Sequence, residues 1–402
     1  MAGPRSIAPD RDPGPRGAGA GPPVTPAGVL QHRMSDGQAG AGRPGSRLRP
    51  GAARVLGVAG FRTILRSPSA RITNQILLVA LVLVFGTGVA TVATGSPSGR
   101  WAAVIHGVAG IAILLLIPWK SRVVRAGLRR ARRSRWASLL LAALIVTTLI
   151  AGLGSATGLM RSVDGKPALW IHIAVALVLV PLALWHILAR RIRPRRSDLS
   201  RRTFLRAGLL GSAAAGLYFA TDRAVRLSGL PGAARRFTGS YETGSFDPDA
   251  MPDTIWLEDP VPAIDPDHWR LTVVDDAGRY ELRLGDLLAF DARMRATLDC
   301  TSGWYAQQDW SGVPVSALLR GSEHARSLLV HSATGYWIRL PARDVSRLLL
   351  ATRVGGAPLS AGHGYPLRLV APGRRGYWWV KWVDRIELQT TPWWWQPPFP
   401  VT

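Results

Sequence analysis

The sequence predicts a multi-domain protein in which an all-α transmembrane helix bundle is followed by an α+β domain with a mixed β-sheet. Two observations predict this division. Four long apolar runs without a charged residue lie within residues 76–189, whereas short β-rich runs alternate with short helical stretches after Asp267. About 20 apolar residues in a helix cross a bilayer core, and strands without regular βαβ crossovers are typical of an α+β fold.

Composition sets the predicted domain boundaries. Residues 1–70 form a basic tail rich in Pro, Gly, Ala and Arg. We expect this tail to be disordered, because it lacks the apolar residues that would offset the entropy of ordering. Residues 71–192 hold the four-helix transmembrane bundle, 193–222 a basic motif and an anchor helix, 223–254 a linker, and 255–402 the α+β domain.

The four apolar runs are each long enough, as helices, to cross a membrane core about 30 Å thick. Two basic connections, 120–135 and 190–206, each carry eight basic residues and at most one acidic residue. Such loops stay in the cytoplasm, so the short connections 95–100 and 161–166 face outwards and the N-terminal tail lies inside. The runs are Ile76–Thr94, Trp101–Trp119, Ala137–Met160 and Pro167–Ala189.

The net charge of +25 does not indicate a nucleic-acid-binding protein. Residues 1–222 carry 30 of the 50 Lys and Arg residues but only 6 of the 25 Asp and Glu residues. The C-terminal part is therefore nearly neutral and lacks the concentrated basic charge that binds a phosphate backbone. We expect membrane lipid, and no nucleic acid, among the partners.

A pair of arginines precedes a weakly apolar stretch. The segment Ser200–Arg206 (SRRTFLR) is followed by the Ala- and Gly-rich run Ala207–Thr221. One interpretation is a further basic loop and a short helix. The other is a resemblance to a twin-arginine export signal, which makes the twin-arginine translocase a partner. No clear small-x-small cleavage site follows, so we expect a fifth, short helix that leaves the C-terminal domain outside the cytoplasmic membrane.

Three histidines lie inside the predicted spans. His106 and His172 are near the outer ends of two helices that run in the same direction. One interpretation is polar contact between helices; the other is ligation of a haem b iron by both imidazoles. His186 follows His172 by 14 residues, an interval that recurs in dihaem cytochromes b, which this part loosely resembles. The corresponding position after His106 is Lys120, so one haem is expected and His186 has no assigned role.

The C-terminal domain is predicted to contain more strands than helices. The expected strands are Trp269–Val274, Tyr280–Leu284, Ser327–His331, Tyr336–Leu340, Leu367–Val370, Trp378–Val383 and Ile386–Leu388. The expected helices are Gly285–Phe290, Pro314–Leu319 and Arg343–Ala351. No Gly-rich fingerprint follows a strand, so nucleotide binding of the Rossmann type is not expected.

Cys300 is the only cysteine in the chain. A lone thiol is either an inert buried side chain or a reactive metal ligand. Cys300 begins a first motif, CTSGW at 300–304, which is followed by Trp310 and by GVP at 312–314. A second motif, GHGYPLR at 362–368, comes later in the chain and is followed by VAPG at 370–373 and VKWV at 380–383. Together they resemble the molybdopterin-binding domain of the sulfite oxidase family, in its bacterial exported branch, over about residues 256–389.

The resemblance implies a Mo-molybdopterin cofactor. The Cys300 thiolate would be the one protein ligand to molybdenum, a soft ligand on a soft metal. His363 and Arg368 correspond to residues that bind the pterin and its phosphate, because a guanidinium pairs two phosphate oxygens at once. Taken singly, Arg368 would be an exposed strand residue and His363 a turn histidine.

Four further residues are carried over from the same resemblance. Lys381, with the backbone of Trp379 and Val380, corresponds to the segment that closes over the cofactor. Ser332 corresponds to another pterin contact, although its surrounding motif SATGY is degenerate. These residues are expected to bind the cofactor and not the metal.

The substrate is not that of the best-known members of the family. Sulfite oxidases and plant nitrate reductases carry an arginine shortly after the cysteine, whereas no cation follows Cys300 before Arg320. An anion pocket needs such a charge, so sulfite and nitrate are not expected. The exported branch includes an enzyme subunit that reduces methionine sulfoxide in periplasmic proteins, and a small molecule or an oxidised protein side chain is expected here.

Three functions remain open at this stage. The first is a membrane-anchored molybdenum oxidoreductase that passes electrons through its own helices to a quinone or another membrane electron-transfer partner. The second is a b-type membrane electron carrier with a non-catalytic molybdopterin-fold domain. The third is a tethered binding or envelope-structural module without a cofactor. The metal content of the purified protein distinguishes them.

The C-terminal segment 391–400 contains three consecutive tryptophans among prolines. The prolines exclude a helix and a central strand, so another surface must cover part of this aromatic area. Either the segment wraps over its own domain, or it lies at the lipid interface, which suits indole rings.

Overall fold

The computed structural model describes most of the chain. The described residues are 69–128, 135–189, 195, 198, 200–255, 260–321 and 324–397. The predicted tail of residues 1–70 lies outside these ranges up to residue 68, as do parts of both basic connections and residues 398–402.

Four long helices precede the α+β domain: α1 (Ala70–Ala93), α2 (Arg100–Leu128), α3 (Arg135–Thr157) and α4 (Ala168–Ala189). Each contains a stretch with a mean hydropathy between 2.1 and 2.6, and all four are long and apolar enough to cross a membrane, as predicted. At most 22% of the residues in each stretch are buried within the protein. Most apolar side chains of these helices therefore face outwards, as expected of helices surrounded by lipid.

The fifth helix, α5, is longer than predicted and spans Arg201–Leu227. It begins at the paired arginines because Ser200 caps it, its side-chain oxygen accepting a hydrogen bond from the Thr203 N–H. It continues past the apolar run, where Asp222 and Arg226 form an ion pair one turn apart at 2.9 Å. Within the described residues it is not among the helices apolar enough to count as a candidate span.

Helices α3 and α4 are joined by a small hairpin of strands β1 (Ser162–Val163) and β2 (Lys166–Pro167). Asp164 and Gly165 at its tip have φ angles of 48° and 74°, and a type I′ two-residue hairpin turn has positive φ at both positions. The short connection predicted at this point is therefore a defined turn.

The α+β domain contains two sheets. The first consists of β3 (Tyr241–Glu242), β6 (Ala292–Asp299), β7 (Trp304–Pro314), β10 (Leu349–Val354), β11 (Ala357–Pro358) and β12 (Arg368–Val370). The second consists of β4 (Arg270–Asp275), β5 (Gly278–Arg283), β8 (Ser327–Ser332), β9 (Trp337–Pro341) and β13 (Val383–Gln389). Strand β3 pairs parallel to β7 and β4 pairs parallel to β13, among otherwise antiparallel pairs. The predicted α+β domain with a mixed sheet arrangement is confirmed.

Two element predictions in this domain are wrong. The helix expected at Arg343–Ala351 is a 3₁₀ turn at Ala342–Arg347 followed by β10, because Leu349 and its neighbours pair with strands on both sides. The strand expected at Trp378–Val383 is a 3₁₀ turn at Gly376–Trp378 and irregular chain. In the first place pairing between distant segments outweighs local propensity. In the second, the backbone of Val380 and Trp382 forms single hydrogen bonds with Leu369 and Gly364 and not the continuous ladder of a strand.

The segment 223–254, predicted as a linker, also contributes to the domain. Its strand β3 pairs with β7 at Trp304 and Tyr305, and the hydroxyls of Thr238 and Ser240 are buried against Asp299. The segment therefore completes the first sheet and does more than connect the two parts of the chain.

The α+β domain contacts the end of the helices that carries the two short connections. Thr94, which caps α1, forms an isolated β-bridge with Arg374. The Tyr241 hydroxyl donates a hydrogen bond of 2.7 Å to the carbonyl of Ser155 near the end of α3. The domain and both short connections are thus on the same side of the helices.

The tryptophan-rich segment lies over strand β9. Gln396 forms two hydrogen bonds with the backbone of Arg339, at 2.8 and 2.9 Å. The rings of Trp393 and Trp378 lie next to each other, with their centroids 6.4 Å apart. Trp394 and Trp395 remain 62% and 67% exposed. One ring is therefore covered by the domain itself, and for the other two a lipid contact stays a prediction.

Candidate active site

One pocket lies between the two sheets and the end of the helices, with a volume of about 850 Å³ including open solvent. Its walls are drawn from segments that are far apart in the sequence. They bring together every residue predicted to bind molybdenum or the pterin: Cys300, Ser332, His363, Arg368, Trp379, Val380 and Lys381.

Cys300 lies on the tight turn between β6 and β7. Its N–H donates to the carbonyl of Trp304 at 2.9 Å, and Gly303 has a φ of 100° that a side chain would strain. Its Sγ accepts a hydrogen bond from the Ser302 hydroxyl at 3.1 Å. A Cβ on Gly376 would be 3.1 Å from the Cys300 Cα, so the opposite loop fits closely against the cysteine.

Arg368 supplies a buried positive charge to the pocket. Its Nη1 donates to the carbonyl of His363 at 2.9 Å, while its Nε has no hydrogen-bond partner among the described residues. Burial lowers the pKa of Arg368 to about 10, opposed by the nearby Cys300 and Asp253, so the group remains a cation at neutral pH. A buried guanidinium with unused donors fits a phosphate, which accepts two hydrogen bonds from such a fork.

His363 holds the turn before Arg368. Its Nε2 donates to the carbonyl of Met251 at 3.1 Å, and its Nδ1 accepts from the Ser360 hydroxyl at 2.8 Å. Burial, and next the charge of Arg368, lower the pKa of His363, so the ring is neutral. Both ring nitrogens of His363 bond to protein groups, so the cofactor contact predicted for this residue stays a prediction. Its backbone carbonyl accepts the hydrogen bond from Arg368 and thereby orients the guanidinium.

Lys381 fixes one wall of the pocket. Its Nζ donates to the Asp253 carboxylate at 2.9 Å, to the Thr254 carbonyl at 3.0 Å and to the Gly362 carbonyl. Burial, and next Arg368, lower the pKa of Lys381. A Cβ on Gly362 would overlap the Asp253 carboxylate at 1.3 Å. The lysine therefore clamps two segments together beside the pocket.

The remaining predicted residues line the pocket from nearby positions. The Ser332 hydroxyl lies 3.1 Å from the hydroxyl of Thr334. The Trp379 ring stands edge-on to Trp310 with centroids 5.6 Å apart. The carbonyl of Val380 accepts from the N–H of Leu369 at 2.8 Å. The structure shows that Ser332, Trp379 and Val380 all line the pocket. That they bind the cofactor stays a prediction.

Sequence reasoning missed several lining residues. Tyr336 and Tyr377 line the pocket, and the Tyr336 hydroxyl donates to the Tyr377 carbonyl. Trp170 lines it from helix α4. A tryptophan at a helix end is ordinary in a membrane protein, so only the docking of the α+β domain reveals this position.

Two of the three histidines in the long helices, His106 and His172, face each other. The ring centroids of His106 and His172 are 5.9 Å apart with an interplanar angle of 81°. Each Nδ1 donates to a carbonyl of a neighbouring helix, Val84 at 2.9 Å and Thr148 at 2.8 Å. A donating Nδ1 fixes the ring and leaves the Nε2 lone pair for a ligand. His172 is two residues beyond Trp170, and His186 lies outside this pair.

Comparison with known proteins matches the α+β domain. Residues 258–395 match the family model described as an oxidoreductase molybdopterin binding domain. Rat mitochondrial sulfite oxidase is 29% identical over 168 residues, which are 33% of this chain and 31% of that protein. The nitrate reductase [NADPH] of Mycosarcoma maydis is 54% identical over 41 residues, which are 10% of this chain and 4% of that protein.

A solved structure also matches part of the chain. The sulfane dehydrogenase SoxCD of Paracoccus pantotrophus is 25% identical over 33% of this chain and 40% of that chain, with a TM-score of 0.31. The chain spans about a third of the length of the curated sulfite oxidases that it matches. The match to the family model identifies residues 258–395 as a molybdopterin-binding oxidoreductase domain. The predicted oxidoreductase class and the predicted Mo-molybdopterin cofactor are confirmed for this domain.

Proposed function

We propose that the protein is a membrane-anchored Mo-molybdopterin oxidoreductase that acts outside the cytoplasmic membrane. It transfers an oxygen atom and two electrons to or from a small molecule or an oxidised protein side chain, and its membrane helices carry the electrons. The observation that supports this most directly is the pocket itself, where a single thiol and a buried, incompletely paired guanidinium face the same space. The bound cofactor would supply the oxygen-atom chemistry.

Each pocket residue has a task in this proposal. Cys300 ligates the metal through its thiolate, and Arg368 pairs with the phosphate of the pterin. Lys381 and Asp253 hold the segments around residues 253 and 362 together, because the Lys381 ammonium donates hydrogen bonds to three protein oxygens. The neutral ring of His363 fixes its own backbone, whose carbonyl orients Arg368.

The position of the domain relative to the membrane supports its location. The domain lies on the side of the short connections 95–100 and 161–166, opposite the two basic connections. Basic loops stay in the cytoplasm, so the pocket opens on the extracytoplasmic side. Export of a domain already folded around its cofactor is the task of the twin-arginine translocase, which the paired arginines at the start of α5 would engage.

The facing histidines support an electron path into the bundle. The orientation of His106 and His172 through their Nδ1 atoms fits axial ligation of one haem b. Glycines at Gly88 and Gly152 lie against the two rings, which brings the backbone of neighbouring helices close to them. A quinone or another membrane electron carrier would exchange electrons with this haem.

Haem ligation is tested by replacing each histidine in turn. We expect His172→Gln to remove the haem absorbance of the purified protein, because glutamine is a poor iron ligand. His186→Gln, on the same helix but outside the facing pair, is the matched control and should retain it. Haem in His172→Gln at the wild-type level would exclude this ligand pair.

Metal analysis of protein purified from membranes tests the function as a whole. We expect close to one molybdenum and one haem per chain. Haem iron without molybdenum would favour the alternative of a b-type membrane electron carrier with a non-catalytic domain, which the facing histidines alone would support. Neither metal would indicate a tethered binding module.

A further inference from the structure

The carboxylate next to the cysteine is buried and receives four hydrogen bonds. Asp299 Oδ1 accepts from Arg375 Nη1 at 2.8 Å and from the Ser240 hydroxyl at 2.7 Å. Its Oδ2 accepts from the Thr238 hydroxyl at 2.8 Å and from Arg236 Nε at 3.0 Å. The side chains of Asp299 and Arg375 are each only 1% exposed. Separating the two side chains would leave a buried charge without its partner, which is strongly destabilising. The positions of Asp299 and Arg375 relative to each other are therefore fixed.

The same guanidinium also holds the backbone of the cysteine. Arg375 Nη2 donates to the carbonyl of Cys300 at 3.1 Å while Nη1 binds the Asp299 carboxylate. A planar fork can serve two acceptors at fixed directions. Gly376, the next residue, fits against the Cys300 Cα. Arg375 therefore fixes the position of the thiol without touching the sulfur.

On the other side, the network reaches the helices. Arg236 binds Asp299 through Nε and donates through Nη2 to the carbonyl of Gly95 at 3.4 Å. Gly95 lies in the connection between α1 and α2, and its N–H donates to the carbonyl of Gly373 at 3.1 Å. Residues 373–376 thus contact the helices at one end and the cysteine at the other.

We propose that Arg375, Asp299 and Arg236 form a positioning network that fixes Cys300 in the pocket and that is complete only when the α+β domain sits on the helical bundle. The domain away from the bundle would lose the Gly95 contacts of Arg236 and of the 373–376 loop. The inference rests on the proposed function, in which Cys300 is the metal ligand. It adds that docking on the membrane part determines the geometry of that ligand.

The first experiment compares Mo(V) electron paramagnetic resonance spectra of full-length protein purified from membranes and partly reduced with dithionite. Arg375→Lys keeps the charge beside Asp299 but loses the fork, so the bond to the Cys300 carbonyl is lost. We expect this variant to keep its molybdenum and to show shifted g-values. Arg295→Lys is the matched control, because Arg295 and Asp309 form an exposed two-point pair on strands β6 and β7.

Arg295→Lys should give the wild-type spectrum. A wild-type spectrum in Arg375→Lys as well would overturn the positioning role. If Arg375→Lys does not accumulate as folded protein, the same spectrum is measured on Arg236→Gln, because the Arg236 side chain is 27% exposed and lies at the edge of the network. A wild-type spectrum in that variant would then overturn the positioning role.

The second comparison addresses docking. Arg235 and Arg236 each donate to a backbone carbonyl of the helical part, namely Ala156 in α3 and Gly95 in the connection between α1 and α2, but only Arg236 also binds Asp299. We expect Arg236→Gln to change the Mo(V) spectrum and Arg235→Gln to leave it unchanged. Equal spectra in these two variants would overturn the coupling between the bundle and the cysteine.

A wild-type protein without molybdenum would refute the proposed function and not the network. Because Cys300 is the single thiol of the chain, its alkylation by iodoacetamide then decides. We expect alkylation about fivefold faster in Arg375→Lys and Arg236→Gln, the factor for one lost hydrogen bond of about 1 kcal/mol, and the wild-type rate in both controls. Equal rates in all five proteins would overturn the network.

Discussion

The helical bundle and the α+β domain bury their apolar residues in different ways. In the bundle, Val79 and Val82 of α1 are 60% and 63% exposed, whereas Leu271 and Leu350 in the two sheets of the domain are fully buried. The domain has a core of its own, and the bundle needs a surrounding apolar phase to cover its side chains. The domain thus covers its own apolar side chains, whereas the four long helices are candidate membrane spans whose outward-facing side chains lipid would cover.

Polar groups follow the same division. The domain contains buried charges that are paired through several hydrogen bonds, such as Asp299 with Arg375. The bundle presents a pair of histidines, each fixed by one backbone carbonyl. Trp170 and Gly95 lie where the two parts meet. At this junction the pocket of the domain meets the end of the helices, and the following changes test how far the two parts act separately.

The largest effect is expected from Cys300→Ser, which should disable the domain and leave the bundle intact. Serine keeps the volume but lacks the soft thiolate, so we expect no oxidation of reduced methyl viologen by sulfoxide or N-oxide substrates above background. Near-ultraviolet circular dichroism and haem content should match the wild type. Wild-type turnover in this variant would return Cys300 to the role of an inert side chain.

A second change should separate the two parts across the membrane. Replacing Arg201 and Arg202 by lysine should leave the four long helices inserted and retain the domain in the cytoplasm, because only the last segment would depend on the twin-arginine route. The control replaces the adjacent pair Arg195 and Arg196 by lysine, which keeps the basic loop without touching the motif. Protease digestion of spheroplasts reports the result, and a cleaved domain in the first variant would contradict the export route.

The domain alone should carry a pH dependence from its buried neutral histidine. Burial and Arg368 lower the pKa of folded His363 below the value of about 6.5 in an unfolded chain. The unfolded state therefore binds more protons, and stability is full above about pH 6.5 and falls as the pH drops towards the folded pKa. We expect His363→Gln to flatten the fall in the domain's melting temperature between about pH 7 and 5.5.

His331 provides the internal control for this experiment. Burial first, then Arg385, lower its pKa as well, so a residual slope of the same sign should remain in His363→Gln. Replacing His331 by glutamine should flatten the curve too, but without loosening the pocket. A slope that is the same with and without His363 would mean that its ring has the same pKa in the folded and unfolded states and so contributes nothing to the pH dependence.

The smallest effect is expected at the tryptophan-rich segment. Trp394→Ser with Trp395→Ser should change the domain's unfolding free energy by less than about 0.5 kcal/mol, because both rings are exposed. Trp393→Ala, which removes the packed ring, should cost about 1–3 kcal/mol. If the exposed pair contacts lipid, electron transfer from molybdenum to haem in vesicles slows while activity with viologen is kept. Unchanged transfer would leave the pair as surface residues.

Much of the site was predictable because its motifs are local. The order of CTSGW and GHGYPLR in the sequence points to Cys300 and Arg368, and the structure brings both to one pocket. Asp299 and Arg375 stand beside these motifs and were overlooked. Their importance lies in a contact between residues 76 positions apart, and a pattern of neighbours contains no information about such a contact.

The sequence by itself determined the four long helices, since length and composition over about 20 residues decide whether a segment can cross a bilayer. It also determined the single thiol. Tertiary structure alone decided that Leu349 begins a strand and not the end of a helix, that Trp170 of a helix lines the pocket, and that Arg236 joins Asp299 to Gly95. These outcomes depend on which distant segments pair and which side chains they bury, and local propensity is too weak to fix either.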